Sequence, residues 1–195
     1  MVMDIGESRY ESYSCLHNGR DKVTRTESDA PSLFQFMSQP DTMKYITPHP
    51  VLSLEEMDAY VEERLAGFRQ QKEIPWVIEN DEGECIGFFR FHKWNVWHRK
   101  TEMGAIIHPG YQKTGIMTEV FRTVIPYGFD TLNLNRIVGD IFAENEGSRK
   151  LLNKFGFREE GVLRETDFDG ERFQDTVVFS MLKREYEEIK QTFDQ

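Results

Sequence analysis

At Pro75 the hydrophobic period of the chain changes from that of a helix to that of a strand. Apolar residues then recur at alternate positions over residues 76–79, 85–94 and 101–108, which is typical of half-buried β-strands. The polar residues 80–83 form a turn between the first two of these segments. Three successive strands with short connections predict an antiparallel meander.

The second half of the chain alternates between the two periods. The predicted elements are helices over residues 115–132 and 146–155, and strands over 136–143, 157–165 and 172–182. A helix that connects two strands of one sheet places those strands in parallel, whereas a short polar turn makes a hairpin. We therefore predict an α+β fold, a mixed α/β domain in which a mostly antiparallel sheet contains one parallel pair.

The first part of the chain is less regular. Residues 1–21 are polar and lack a clear period, so we assign them to an N-terminal extension, and residues 22–195 to a single domain. A short strand at 22–26 precedes a helix that starts at residues 29–31, where a proline is tolerated. Residues 39–50 are predicted to be a loop.

Two further local signals concern helix ends. Ser53 followed by Glu56 predicts a capping box at the start of a helix that reaches about Gln71. Pro126 falls inside the helix predicted over residues 115–132 and is expected to kink or break it, at a cost of about 3 kcal/mol.

Composition limits the classes of partner. The chain has 195 residues and a formal net charge of −10, which opposes binding to nucleic acid or to an anionic membrane and favours a cationic partner. Cys15 and Cys85 do not form a disulfide framework, and the first residues lack the features of a signal peptide. No apolar run approaches the roughly 20 residues that span a bilayer. We expect a cytoplasmic protein, and a homodimer remains open.

A turn before the helix at residue 115 is a candidate phosphate site. The first N–H groups of a helix have no partner within it and attract anions. Gly115 would allow close approach of the backbone, and Lys113, Thr114 and Thr118 could add contacts. A glycine at a helix start is also a routine capping device, so both interpretations remain.

The turn before the helix at residue 146 is a second candidate. Asn145 is an N-cap residue and Ser148 lies at the third helical position. The alternative is that Asn145 contacts an amide-bearing ligand while Ser148 offers its hydroxyl to a leaving group.

These motifs together resemble a known family. Residues 109–119, PGYQKTGIMTE, are similar to the coenzyme A pyrophosphate loop of the GCN5-related N-acetyltransferases, the GNAT family. The flanking segments TEMG, NEGS, KFGF, EEGVLRE and DG resemble the RimJ/RimL branch, which acetylates the N-termini of ribosomal proteins. The resemblance extends over about residues 22–185. It implies the GNAT fold, with the parallel strands splayed around acetyl-CoA, and no metal.

The resemblance also implies residue roles. A neutral amine attacks the thioester directly, with Glu102 as the base and Ser148 as the candidate acid beside the coenzyme sulfur. The alternative is that Glu102 has no catalytic role and is a strand residue whose side chain faces either solvent or an arginine. Backbone N–H groups near residues 106–108 would bind the pantetheine arm and polarise the carbonyl. The implied coenzyme-binding residues are Ile106, Ile107, His108, Gln112, Lys113, Thr114, Gly115, Ile116, Met117, Thr118, Asn145 and Ser148.

The loop departs from the family pattern at two positions. Met117 stands where glycine or alanine is usual, and Lys113 replaces a common glycine. Because Met117 continues the apolar stripe of the helix, we expect its side chain to point into the core rather than at the pyrophosphate. A non-catalytic module that only binds acetyl-CoA is the alternative function.

The free energy of amine deprotonation favours one acceptor class. An α-amine with a pKa of about 8 loses its proton at pH 7 for roughly 1 kcal/mol, whereas a lysine requires roughly 4 to 5. This favours a peptide N-terminus or a small α-amine.

The sequence gives less support to a cysteine nucleophile or a metal site. Cys85 lies in an alternating strand and is interpreted as a buried structural thiol. Trp94 and Trp97 flank a strand connection. They are interpreted either as part of a substrate gate, as a dimer contact, or as the partly buried end of a hairpin. The histidines lack metal-ligand spacing; they are His17, His49, His92, His98 and His108.

Overall fold

A computed structural model of the protein describes residues 15–17, 22–24, 30–47 and 49–193. Its centre is an eight-stranded sheet in the order β1-β2-β3-β4-β5-β6-β8-β7. The strands are β1 (Cys15–His17), β2 (Lys22–Thr24), β3 (Ile74–Glu79), β4 (Cys85–Asn95), β5 (Lys100–Ile107), β6 (Arg136–Phe142), β7 (Arg158–Phe168) and β8 (Phe173–Leu182). Only β5 and β6 are parallel among the paired strands of these ranges. The predicted α+β class, the meander and the parallel pair are confirmed.

Helices cover both faces of the sheet. They are α1 (Ala30–Met37), α2 (Pro40–Met43), α3 (Leu54–Arg69), α4 (Ile116–Pro126), α5 (Glu146–Lys154) and α6 (Lys183–Ile189). The buried side chains of α1 and α3 pack with Phe88 and Ile106 on one face. Those of α4 and α5 pack with Phe89 and Phe91 on the other. Neighbouring residues of a strand point to opposite faces, so β4 and β5 contribute to both clusters.

Two details of the first helices differ from the sequence-based expectation. The predicted loop at residues 39–50 contains the single turn of α2, which Pro40 opens at a position where its missing N–H costs nothing. Ser53 caps α3 by accepting a hydrogen bond from the Glu56 N–H at 3.1 Å. The Glu56 carboxylate accepts from the Leu52 N–H instead of the Ser53 N–H, so the reciprocal half of the predicted capping box is wrong.

Pro126 ends the regular part of α4. A π-helical turn, Tyr127–Thr131, follows it, and the Leu132 N–H donates to the Tyr127 carbonyl at 3.1 Å. Because proline lacks an N–H and its ring clashes with the preceding turn, the helix continues only with a wider hydrogen-bond pattern. The regular α-helix thus ends at Pro126, where a kink or break was expected, but the chain stays helical through the π-helical turn.

The pairing of β5 with β6 is short, and this creates the candidate site. It runs from Lys100 opposite Arg136 to Met103 opposite Gly139. After these residues the two strands continue in the same direction, as residues 104–107 and 140–142, but no longer pair with each other. A gap therefore opens between two neighbouring strands of the central sheet.

Part of the N-terminal interpretation lies outside the described residues. Within the predicted extension 1–21, only residues 15–17 are described, and they pair with β2. The end of the strand predicted at 22–26 and residue 29 at the predicted helix start are not described. None of the helices in the described ranges combines the length and the apolar content needed to cross a membrane.

Candidate active site

A cavity of about 170 Å³ lies where β5 and β6 separate. Four polar side chains line it, those of Tyr45, Asp140, Asn145 and Ser148. The rest of its wall is mostly apolar: Ile46, Phe89, Met103, Ala105, Ile107, Met117, Phe121, Ile141, Leu151 and Leu152. Ligand sites are typically apolar clefts with a few well-placed polar groups. A second void between α1 and α3 measures about 20 Å³, which suits at most a water molecule.

The turn between β5 and α4 is exposed and partly left-handed. Gly115 has a φ of 100°, and Lys113 has a φ of 63°. A Cβ at Gly115 would meet nothing within 4 Å. The Thr118 N–H donates to the Gly115 carbonyl at 2.8 Å, so the N–H groups of the first turn before Thr118 have no acceptor within the helix. The turn is therefore suited to binding an anion.

Neighbouring side chains hold this turn in place. The Tyr111 hydroxyl accepts a hydrogen bond from the Asn80 side chain at 3.1 Å, and Thr114 donates to the Tyr111 carbonyl at 2.7 Å. Lys154 of α5 donates to the Thr118 hydroxyl at 3.3 Å. Lys154 therefore adds a cation at the start of α4, and the sequence did not predict it because only the fold brings α5 to this turn.

Met117 lies between the core and the cavity. Its side chain is partly buried against the core of α4 and also lines the cavity. The expected continuation of the apolar stripe is therefore observed. Its effect on a bound pyrophosphate remains a prediction.

Asn145 and Ser148 occupy the start of α5. The Asn145 side-chain oxygen accepts a hydrogen bond from the Ser148 N–H at 3.1 Å, so Asn145 is the N-cap. Both residues also line the cavity. The cap fixes the serine at the wall, and the two interpretations of the sequence are thus compatible.

The β5 backbone differs in detail from the expectation for residues 106–108. The His108 N–H donates to the Ile86 carbonyl at 2.8 Å, so its expected role as a donor to the pantetheine arm is wrong. Ile106 is buried against α1 and α3, on the face away from the cavity wall. Since the hydrogen-bonding direction alternates along a strand, the backbone groups of Ala105 and Ile107 point towards the gap. Both residues line the cavity, and Ala105 was not predicted.

Glu102 lies just outside the cavity lining. Its carboxylate forms an ion pair with Lys93 at 2.7 Å, and its side chain is 26% exposed. It pairs with His92 across the β4–β5 ladder, on the face opposite Met103. Glu102 is absent from the cavity lining, so a proton from an amine in the gap would have to reach it through water.

Two further titratable groups share that face. Burial lowers the pKa of His92 to about 4, and the nearby Arg90, Lys93 and Arg64 contribute. Partial burial raises the pKa of Asp140, and the charge of Glu102 adds to this. Asp140 lines the cavity but was treated in the sequence only as part of a strand.

A neighbouring cavity of about 120 Å³ adjoins the 170 Å³ cavity at Tyr45, which lines both. Lys44, Glu144 and Arg172 are among its other residues. Arg172 pairs with Glu144 at 2.7 Å. This cavity therefore extends the site towards the β7–β8 turn with both positive and negative side chains.

The remaining candidates are peripheral. The partly buried Cys85 thiol lies 3.7 Å from the Gly87 carbonyl oxygen. Trp94 packs partly buried against the core, whereas Trp97 is 89% exposed. Among the described residues, no group of three His, Cys, Asp or Glu side chains is placed to hold a metal ion.

The chain is similar to known proteins in sequence and in fold. The acetyltransferase (GNAT) domain family matches residues 23–158 of the chain. Over 159 residues, 81% of this chain and 90% of the relative, the chain is 35% identical to YoaA, an uncharacterized N-acetyltransferase of Bacillus subtilis (strain 168).

Two solved structures are also similar. Spermidine N-acetyltransferase from Vibrio cholerae, in complex with CoA and spermine, is 26% identical with a TM-score of 0.78, over 87% of this chain and 99% of that one. RimL, a ribosomal L7/L12 α-N-protein acetyltransferase in complex with coenzyme A, has a TM-score of 0.81 over 86% of this chain and 97% of its own. At 16% identity it shares the fold alone.

Proposed function

The chain belongs to the GNAT acetyltransferases and is an N-acetyltransferase, and from this premise we propose that it transfers the acetyl group of acetyl-CoA to a primary amine. The cavity between β5 and β6 is the observation that carries the proposal. Met117, in the first turn of α4, and the capped start of α5 both line this cavity. Relatives named N-acetyltransferases disfavour a module that only binds the coenzyme.

The coenzyme would occupy the gap in the place of a missing strand. Its diphosphate lies at the turn before α4, where the free N–H groups, Lys113 and Lys154 supply positive charge. The pantetheine arm runs along β5 and bonds to the backbone of Ala105 and Ile107. A thioester at the end of this arm lies near Gly104, with Ser148 on the wall of the cavity.

The reaction is a direct displacement. The amine nitrogen attacks the carbonyl carbon, the C–S bond breaks, and no acyl-enzyme forms. Glu102 takes one proton of the ammonium through a water molecule, and a second proton leaves the nitrogen after the attack. The Ser148 hydroxyl passes a proton to the departing thiolate and regains one, through water, from the proton that the nitrogen releases. The enzyme contributes mainly by holding both reactants in line and by polarising the carbonyl with backbone N–H groups.

The acceptor is proposed to be a peptide N-terminal α-amine or a small amine. The net charge of −10 attracts a protonated amine, and an α-amine is the easier one to deprotonate. The similar spermidine N-acetyltransferase makes a polyamine the second candidate, because its solved structure contains spermine.

Release of the coenzyme thiol tests the proposal. The purified protein is mixed with acetyl-CoA and with peptides, polyamines or amino acids, and free thiol is measured over time. We expect amine-dependent release with at least one class of acceptor, together with coenzyme binding by calorimetry. Coenzyme binding without thiol release for any amine would contradict the proposed transfer.

Replacement of Glu102 tests its role as the base. We expect Glu102→Gln to lower kcat by about 100-fold or more and to leave the coenzyme Kd within about twofold, because a general base acts on the proton and not on the coenzyme. Glu55→Gln, at an exposed position of α3, is the control. Unchanged turnover of Glu102→Gln across the pH range would remove this role.

A further inference from the structure

Asp140 is a carboxylate of the cavity wall that the transfer steps do not use. It follows Gly139, the last residue of β6 that pairs with β5, and it lines the cavity together with Gly104 and Ala105. A Cβ on Gly139 would lie 3.0 Å from Leu152 and Met103, so that face of β6 is closed by packing. Because side chains alternate along a strand, Asp140 points to the other face, which it shares with Glu102.

The carboxylate of Asp140 lacks a cation of its own. It makes no hydrogen bond or ion pair with any residue that the structure describes. The charged groups around it are Glu102 on β5, Lys93 on β4, Asp167 on β7 and Arg136 on β6. Lys93 is paired with Glu102 at 2.7 Å, and Arg136 with Glu160 at 3.1 Å. Both neighbouring cations are therefore already engaged.

The surroundings penalise the ionised form of Asp140. Partial burial raises the pKa of this carboxyl, and the negative charge of Glu102 acts in the same direction. A carboxylate in such a place gains more from a ligand that brings a positive charge than a fully hydrated one would. Asp140 is nevertheless exposed to solvent, so a ligand can reach its carboxylate.

We propose that Asp140 accepts a hydrogen bond from the ammonium group of the acceptor and selects amines that carry no carboxylate beside the amine, an inference that rests on the proposed acetyl transfer. The ammonium binds at Asp140 on β6, on the other side of the gap from the part of β5 where the thioester lies. It loses one proton to Glu102 through water and attacks as the neutral amine.

The same geometry excludes one class of acceptor. A carboxylate on the carbon next to the amine would lie roughly 4 Å from Asp140, where two like charges repel. Free amino acids carry this carboxylate, whereas amino acid amides and peptide N-termini carry a neutral amide at that position. The site is thus expected to distinguish the two by charge.

A matched pair of acceptors and a matched pair of variants test the inference. The value of kcat/KM is measured for an amino acid amide and for the same free amino acid, with the wild type, Asp140→Asn and Asp58→Asn. Asp58 is an exposed residue of α3 outside both cavities, and its replacement changes the net charge equally. Asp140→Ser repeats the measurement in case the asparagine variant folds poorly, as judged by circular dichroism.

We expect the wild type and Asp58→Asn to prefer the amide by about tenfold or more, because the carboxylate of the free amino acid is repelled by Asp140 at roughly 4 Å. In Asp140→Asn and Asp140→Ser this ratio falls to within about twofold, while the coenzyme Kd is unchanged. A ratio that stays at the wild-type value in both variants overturns the inference and leaves the proposed function standing. If the wild type acetylates neither the amide nor the free amino acid, the inference is also overturned. The amine panel then decides whether the proposed acetyl transfer itself fails.

Discussion

His92 shows how strongly the fold changes the chemistry of one side chain. It lies across from Glu102, and burial lowers the pKa of its imidazole to about 4. The cations of Arg90, Lys93 and Arg64 add to this effect. At neutral pH the ring is therefore uncharged, and it does not compete with an acceptor ammonium for the carboxylates of this face.

The neutral state of His92 has a consequence for stability. Its pKa is about 4 in the folded protein, whereas an unperturbed histidine, as in the unfolded chain, has a pKa of 6.5. Between these pH values the unfolded chain binds more protons, so the free energy of unfolding falls as the pH drops from about 6.5 to about 4. We expect His92→Gln to remove about 1 to 2 kcal/mol of this fall, once solvent screening is allowed for.

Urea denaturation near pH 7.5 and near pH 4.5 measures the effect. The quantity compared is the difference in unfolding free energy between the two pH values, for the wild type and for His92→Gln. His98→Gln, in the exposed β4–β5 connection, is the control and should behave as the wild type does. The same loss in all three proteins would contradict the assignment of the low pKa.

The connection between β5 and α4 combines rigidity with an open backbone. Tyr111 ties it to the β3–β4 turn through Asn80, and Gly115 takes a left-handed conformation that most residues adopt only with strain. Solvent, and not protein, surrounds the missing Cβ of Gly115. The turn is thus fixed at its start and accessible at its end, as a diphosphate site requires.

Two substitutions at Gly115 separate strain from charge. Gly115→Ala adds the strain of a positive φ, about 1 kcal/mol, without a clash, because no atom lies within 4 Å. Gly115→Glu adds the same strain and a negative charge beside the diphosphate. We expect the coenzyme Kd to rise by about tenfold or more in the glutamate variant and only a few-fold in the alanine variant, with similar melting temperatures.

Calorimetric titration with coenzyme A gives both dissociation constants. Equal values for Gly115→Ala and Gly115→Glu would mean that the diphosphate does not lie at this turn. A fall in melting temperature confined to the glutamate variant would point to a structural effect instead of a charge effect.

Local pattern predicted the strands from β3 to β8 and the helices α3 to α5 well, because each carries its own period of apolar residues. The features that were missed depend on distant segments. Lys154 reaches Thr118 from 36 residues away. The N–H of His108 is taken by a carbonyl of β4, and Asp140 matters only because β5 and β6 part after Gly139. Sequence periodicity does not show where two paired strands separate.

Residues 183–193 are rich in charged side chains, yet their apolar residues join separate parts of the molecule. Tyr186 of α6 stacks on Phe129 with ring centres 4.8 Å apart, and its hydroxyl donates to Asp130 at 2.7 Å. Phe193 packs against Tyr186 and against Phe155, with centres 5.5 and 5.3 Å apart. The closing segment therefore braces the π-helical turn after α4 and the end of α5, and both helices border the cavity.

Removal of the Phe193 ring tests this bracing. Phe193 is 5% exposed, so Phe193→Ala leaves a cavity between three elements and should lower the free energy of unfolding by about 3 kcal/mol. Phe173→Ala is the matched control, because that ring is 62% exposed and its loss should cost less than about 1 kcal/mol. Urea denaturation gives both values. Equal losses would show that Phe193 contributes no more than a surface residue does, whereas the expected difference would show that its ring stabilises the packing of α6 against the end of α5.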